Sequence, residues 1–265
     1  MGLLRITILG CGGSGGVPLI GGADGSGDWG ACDPGDPRNR RTRSAIVIEA
    51  DGRRLLVDAG PDLRAQCLAQ GIARVDGVVF THGHADHIMG VDDIRVLNRN
   101  LGAALPAFGT EATLAELRRR FGYAFRPATP PAFYRPALLP MPIGYGQEFD
   151  AAGLRLRSLR LDHRVMEVLG LRVGRFAYCT DVVEMPEETL AALEGLDMLV
   201  VGCLQRRRHP VHAWVERVLE WVDRLKPRQT VLTHLGTDMD WRWCSAHLPA
   251  GISAAWDGRV LEVPG

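Results

Sequence analysis

Seven consecutive residues, Thr81-His82-Gly83-His84-Ala85-Asp86-His87, constrain this chain more than any other stretch. They follow Val75–Phe80, a short apolar run that reads as a strand. Neutral imidazole and carboxylate are ligands for zinc, manganese or iron. A tight turn at a strand's end lets His82 and His84 point one way while Asp86 and His87 turn the other. The spacing predicts a metal-holding turn. A polar loop whose histidines merely cap a helix would not need them at this density.

The rest of the chain reads as strands and helices around that turn. Arg5–Leu9 alternates like a strand and runs into the glycine-rich turn Gly10–Gly16; residues 21–43 read as a loop. Ser44–Ala50 and Arg54–Ala59, split by Asp51-Gly52, form a predicted hairpin. Pro61–Gly71 has proline near its first turn and glycine past its end, as helices do. His84–Leu97 reads as helical, and Thr110–Phe121 as a helix with a threonine cap. Residues 122–149, rich in proline and aromatics, read as a loop or arm. Strands follow at Leu154–Asp162, Val168–Val173, Phe176–Thr180, Met198–Gly202 and Thr230–Thr233, with helices at Pro186–Leu193, Val211–Leu225 and Asp240–His247. A final pair of strands is expected around Gly258. Hairpins first, then strands alternating with helices, predict an α/β layered sandwich in one domain, residues 1–265.

Composition excludes several classes. With 46% hydrophobic and 23% charged residues, the chain is neither disordered, nor collagen-like, nor a disulfide miniprotein. Its apolar runs, such as 196–201, are strand-sized, far short of the ~20 residues that cross a bilayer. The first residues lack a signal-peptide pattern, so a cytoplasmic protein with no membrane partner is expected. Basic and acidic residues balance, 31 against 31, so no stable nucleic-acid partner is expected. Six cysteines without a CxxC pair read as reduced, mostly buried thiols.

HxHxDH after a strand, preceded by Val57-Asp58-Ala59-Gly60, resembles the metallo-β-lactamase-fold hydrolases. Single residues at later strand ends carry the resemblance over almost the whole chain: His163 after Leu154–Asp162, Asp181 after Phe176–Thr180 and His234 after Thr230–Thr233. The resemblance implies a four-layer αββα sandwich and two divalent metal ions, zinc or manganese. His82, His84 and His163 would hold the first ion, Asp86, His87 and His234 the second, and Asp181 would bridge them. Asp58 would orient a histidine ligand.

The segment Gly10-Cys11-Gly12-Gly13-Ser14-Gly15-Gly16-Val17-Pro18, together with Asn39–Ser44, looks like the phosphodiesterases related to the phosphoribosyl cyclic phosphodiesterase of carbon–phosphorus lyase pathways. His212, 22 residues before His234, matches a histidine of that branch that protonates the leaving oxygen or holds a phosphate oxygen. Asp86 and His212 are therefore the candidate catalytic residues. His209 has no counterpart and is expected at the surface or behind the site. That branch also carries a structural zinc; here the early loop has only Cys32, and Thr237 stands where a histidine would, so no structural zinc is expected. Arg38, Arg40, Arg41, Arg43 and Arg206–Arg208 are candidate phosphate ligands, and the glycine-rich turn a possible anion cradle.

The implied function is a binuclear metal-dependent phosphodiesterase acting on small cyclic phosphates or nucleotide phosphodiesters through a hydroxide shared by the two ions. The alternatives are an RNA or DNA nuclease of the same superfamily and a metal-binding scaffold without catalysis. A zinc β-lactamase would have cysteine in place of Asp181. Transfer-RNA 3′-processing nucleases insert an arm between the residues matching His163 and Asp181, a gap of only 18 here. Residues 122–149 are a candidate lid or homodimer contact.

Overall fold

A computed structural model describes residues 2–127 and 133–264 and contains two mixed seven-stranded sheets. The first sheet begins as an antiparallel meander of β1 (Leu3–Gly10), β2 (Ala45–Ala50) and β3 (Arg53–Val57). Asp51 and Gly52 turn the β2–β3 hairpin, both at positive φ, the pair of left-handed conformations a two-residue hairpin loop requires. The sheet continues in parallel through β4 (Gly77–Val79), β5 (Leu105–Gly109) and β6 (Leu138–Pro142). Parallel neighbours need crossovers, here α1 (Leu63–Ala69), the pair α2 (Ala85–Ile88) and α3 (Ile94–Leu101), and α4 (Glu111–Phe121).

The second sheet repeats the plan. β7 (Glu148–Ala151), β8 (Leu154–Asp162), β9 (Glu167–Val173) and β10 (Phe176–Cys179) are antiparallel; β11 (Met198–Gly202), β12 (Gln229–Thr233) and β13 (Ile252–Ala254) then run parallel to β10. The crossovers are α5 (Glu187–Ala192), α6 (Val215–Leu225) and α7 (Trp241–His247). β14 (Val260–Pro264) returns to pair with β1.

Side-chain alternation sorts the first sheet into two faces. Ile6, Ile8, Ile46, Ile48, Leu55 and Val57 share one buried cluster with Leu156, Leu171 and Tyr178 of the second sheet. The intervening Ala45, Val47, Leu56, Val78 and Ala107 pack instead with Leu63, Ile94 and Leu114 of α1, α3 and α4. A one-residue slip in β2 would exchange the two sets, and each buried aliphatic contributes about 1.5–3 kcal/mol. The layers are helix, sheet, sheet, helix, as the resemblance implied. Among the described residues, no helix is long and apolar enough to cross a membrane.

Four expectations need correction. Residues 122–149 are not a plain loop: they contain a 3-10 turn at Gly122–Phe125, β6 and the first half of β7, each strand at a sheet edge, while residues 128–132 lie outside the described ones. The prolines hid β6, because an edge strand tolerates missing N–H donors. β5, with Pro106 as its second residue, was not anticipated at all. The strands either side of Gly258 do not pair with each other, since β13 joins β12 and β14 joins β1. Finally, α6 begins at Val215, leaving His212 on the loop before it.

Candidate metal centre and active site

The parallel strands of both sheets end in one place, the usual position of a site in sheets of this kind. Asp58 follows β3, the His82–His87 turn follows β4, Asp181 lies two residues beyond β10, and His234 follows β12. His163 and His212 enter from the loops after β8 and β11. Three of these residues sit at positive φ: Asp58 at 66°, Asp181 at 48° and His234 at 54°. Left-handed backbone at a non-glycine residue costs about 1–3 kcal/mol, and such strain persists where a site over-determines it. At Gly60 the chain passes so close that a Cβ would lie 2.1 Å from the Asp86 carbonyl oxygen, which explains the glycine before the motif.

Hydrogen bonding settles the histidine tautomers. His87 Nδ1 lies 2.7 Å from Asp58 Oδ2 and must donate to it. Thr81 gives its hydroxyl to Asp58 at 2.8 Å, so the His82 Nδ1, 3.0 Å from that hydroxyl oxygen, also donates. His163 Nδ1 donates to the Val211 carbonyl at 2.6 Å. Ser44 donates to the Gly12 carbonyl, and His234 Nδ1, 3.3 Å from Ser44 Oγ, is again the donor. In its neutral form each ring therefore presents an unprotonated Nε2, the state in which it can hold a metal. Those of His82, His87 and His234 are buried without any hydrogen-bond partner.

One ring nitrogen of His87 and one of His234 face carboxylates. His87 Nε2 is 3.2 Å from Asp86 Oδ2 and 3.1 Å from Asp181 Oδ2, and His234 Nδ1 is 3.2 Å from the same Asp181 oxygen. The His234 Nδ1–H can donate there, whereas the lone pair of a neutral His87 Nε2 would repel both carboxylates unless a proton or a metal cation lay between them. Burial opposes the Asp181 charge, yet His234 and His87 hold its carboxyl well below the usual carboxylate range. Burial also opposes the proton on His87, which Asp181 and Asp58 nevertheless raise well above the ordinary imidazole value. Asp86, His87, Asp181 and His234 offer ligand atoms within 4.8 Å of one another, as do His163, Asp181 and His212. The rings of His82 and His84 lie 4.7 Å apart, and those of His84 and His163 5.3 Å. The donor set fits divalent metal.

All seven expected ligands thus converge. His212 joins them, its ring 4.4 Å from that of His163 and its Nδ1 3.8 Å from Asp181 Oδ1. Burial, reinforced by His234, pushes the His212 imidazole down to about 3, so it is neutral in the ion-free chain. A cleft of about 420 Å³ opens beside His82 and His84, lined by Thr113, Glu116, Tyr145 and Glu167 among others.

Other expectations fare differently. The glycine-rich turn does not cradle an anion with Gly12, Gly13 and Gly16, because their amides bond to Thr42, Leu235 and Gly13 carbonyls. It passes beneath His234. Arg41 is fully buried and donates to the carbonyls of Gly236 and Met239, while Arg38 and Arg43 pair with Asp36 and Asp62. These three brace loops. Cys32 lies against Arg41, and all six cysteines are free thiols. The residues sequence reasoning passed over are Thr81, Ser44 and the Val211 carbonyl, which fix ligand tautomers. Thr81 stands inside the histidine motif and Ser44 ends the Asn39–Ser44 segment, yet neither pattern signals a tautomer-fixing role.

A model of the β-lactamase superfamily domain matches residues 53–235, and the chain belongs to that superfamily. It has the metallo-β-lactamase fold and resembles the PhnP family. A crystal structure of a diphosphatase from that family is 34% identical, covers 98% of this chain and 97% of its own, and superposes with a TM-score of 0.88. The octanoyltransferase of Porphyromonas gingivalis is 31% identical over 234 residues, 88% of this chain but 46% of that protein. A ribonuclease Z of Mycobacterium sp. is 27% identical over 264 residues, 86% of this chain and 92% of that enzyme. The chain spans under half the length of the first curated relatives it matches.

Proposed function

We propose that this chain is a binuclear metal-dependent phosphodiesterase acting on small cyclic phosphates or nucleotide phosphodiesters. One observation carries the reading: His82, His87, His163 and His234 each have Nδ1 held by a neighbour, the Nε2 atoms of His82, His87 and His234 are buried without a partner, and Asp86 and Asp181 stand against His87 and His234. His82, His84 and His163 would hold one ion, Asp86, His87 and His234 the other, with Asp181 between them. Two divalent ions there, zinc or manganese, would supply a nucleophile near neutral pH and neutralise phosphoryl charge.

The remaining work falls to side chains. Asp58 and Thr81 keep His87 and His82 in ligand orientation. Asp86, 3.2 Å from His87 Nε2, would set a carboxylate beside such a nucleophile to accept its proton. His212, beside Asp181 but outside the deepest cluster, is placed to protonate a leaving oxygen once substrate charge raises its affinity for a proton.

A second reading, hydrolysis of a diphosphate P–O–P bond, draws support from the diphosphatase at 34% identity. Nuclease activity draws less, from the ribonuclease Z relative at 27%; β9 and β10 fill the interval from His163 to Asp181 where the arm of such enzymes is inserted. The deciding experiment is a hydrolysis panel with Mn²⁺ and Zn²⁺: bis-p-nitrophenyl phosphate, a cyclic nucleotide, a diphosphate diester, a phosphate monoester, a thioester and a β-lactam. Diester turnover above all others supports the proposal; thioester or lactam turnover alone overturns it.

A further inference from the structure

His209 has no role in the site as described so far, yet its imidazole closes the loop that delivers two site histidines. Val211 N–H donates to His209 Nδ1 at 3.3 Å and His212 N–H donates to the same atom at 3.2 Å. With two backbone donors on it, Nδ1 carries no proton, so His209 is the Nε2–H tautomer. The bonds wrap residues 209–212 into a turn. That turn aims the Val211 carbonyl at His163 Nδ1, 2.6 Å away, and sets the His212 ring 4.4 Å from His163.

We infer that His209 is a positioning residue for both His163 and His212, acting through the acceptor lone pair of Nδ1. The rest of the loop is tied at other points: Gln205 Nε2 donates to the Arg207 and Arg208 carbonyls, Leu204 N–H to the Ala213 carbonyl, and Ala213 N–H to the Val182 carbonyl. None of these bonds touches the amides of Val211 or His212. Without the His209 acceptor, the peptide between Val211 and His212 keeps only its carbonyl's bond to His163 Nδ1 and loses the hold on its N–H side. The His163 tautomer and the His212 ring position would then be lost together. The His209 ring, 5.3 Å from His212 and inclined 41° to it, also backs the His212 ring on its outer side.

The inference rests on the phosphodiesterase reading only for its activity arm. The variants are His209→Ala, His209→Asn and His209→Gln. Asparagine places an acceptor oxygen where Nδ1 stands; glutamine places it one bond further out. In the ion-free protein, the low-field Nδ1 proton of His163 should persist in His209→Asn and vanish in His209→Gln and His209→Ala, read by proton NMR. Calorimetric titration with Mn²⁺ should show at least one ion bound about tenfold more weakly in the Ala and Gln variants, and Asn within about threefold of the parent. On bis-p-nitrophenyl phosphate, kcat should fall in the same order with KM little changed. Thermal unfolding identifies any variant that does not fold; the Asn and Gln pair then decides. A loss in His209→Asn equal to that in His209→Ala overturns the inference, because the imidazole itself would be required. So does a His209→Ala protein with parental NMR and ion binding. A parent that hydrolyses no diester sinks the phosphodiesterase reading alone, since the NMR signal does not depend on it.

Discussion

His87 Nδ1 and Asp58 Oδ2 stand 2.7 Å apart with both side chains sealed from solvent. Asp58 holds His87 directly and His82 through Thr81, so one carboxylate governs a histidine assigned to each ion. Asp58→Asn should weaken binding of both ions by roughly ten- to a hundredfold, the usual consequence of losing such a partner. Competitive titration against a chromogenic chelator measures it; unchanged affinities would show that the histidines orient themselves.

Asp181 receives contacts from His87, His212 and His234, more than any other carboxylate in the site. In Asp181→Ala two cations would face each other without a shared anion. Elemental analysis should find fewer ions per chain than in the parent, and activity should drop with them. Full occupancy by two ions in that variant excludes the bridging role.

His212→Ala should leave ion content intact and slow turnover by ~10²–10⁴, the range of general acid catalysis. The deficit should shrink for nitrophenolate, which departs without a proton, and stay large for alkoxide leaving groups. An equal deficit for both would assign His212 to binding.

Asp257 accepts from Thr42 N–H, the Thr42 hydroxyl and Cys11 N–H, tying the glycine-rich turn to the connection between β13 and β14. Burial, opposed by the Thr42 bonds, raises its carboxyl to about 6. The folded chain thus favours the protonated acid. That stabilisation is fully present below the ordinary carboxylate range and is lost as pH rises through about 6. Asp257→Asn, which keeps an acceptor and cannot ionise, should gain on the parent between pH 4 and pH 7 by up to roughly 3 kcal/mol. Thermal unfolding of both proteins across that range tests it, a parallel pair of curves being the contrary result.

A phosphate monoester dianion should bind the ions more tightly in its ground state than a monoanionic diester, and so inhibit instead of turning over. Nucleoside monophosphates should compete with bis-p-nitrophenyl phosphate at millimolar concentration. Faster turnover of monoesters than diesters would reverse the assignment.

The site was far more legible in the sequence than the sheet edges were. His82–His87 declares itself because ligand chemistry needs those side chains at that spacing, and His163, Asp181 and His234 become readable once the order of strand ends is known. β5 and β6 were missed because Pro106, Pro140 and Pro142 disguise strand character, and only tertiary pairing decides whether a missing N–H is tolerated. The parts played by Ser44 and the Val211 carbonyl could not be read from sequence. Their roles depend on residues 190 and 48 positions away being folded against them.

The facing strand ends have one more consequence. Asp58, His82, His84, Asp86 and His87 come from the first sheet, and His163, Asp181, His212 and His234 from the second. An ion held by both sets binds only when the two halves are docked, so its binding energy becomes cohesion between sheets. At a free concentration a thousand times its dissociation constant, such an ion adds about 4 kcal/mol to the folded state. The chain's mechanical integrity and its chemistry would then draw on the same reservoir of metal, and starvation for the ion would loosen the sandwich as well as silence it.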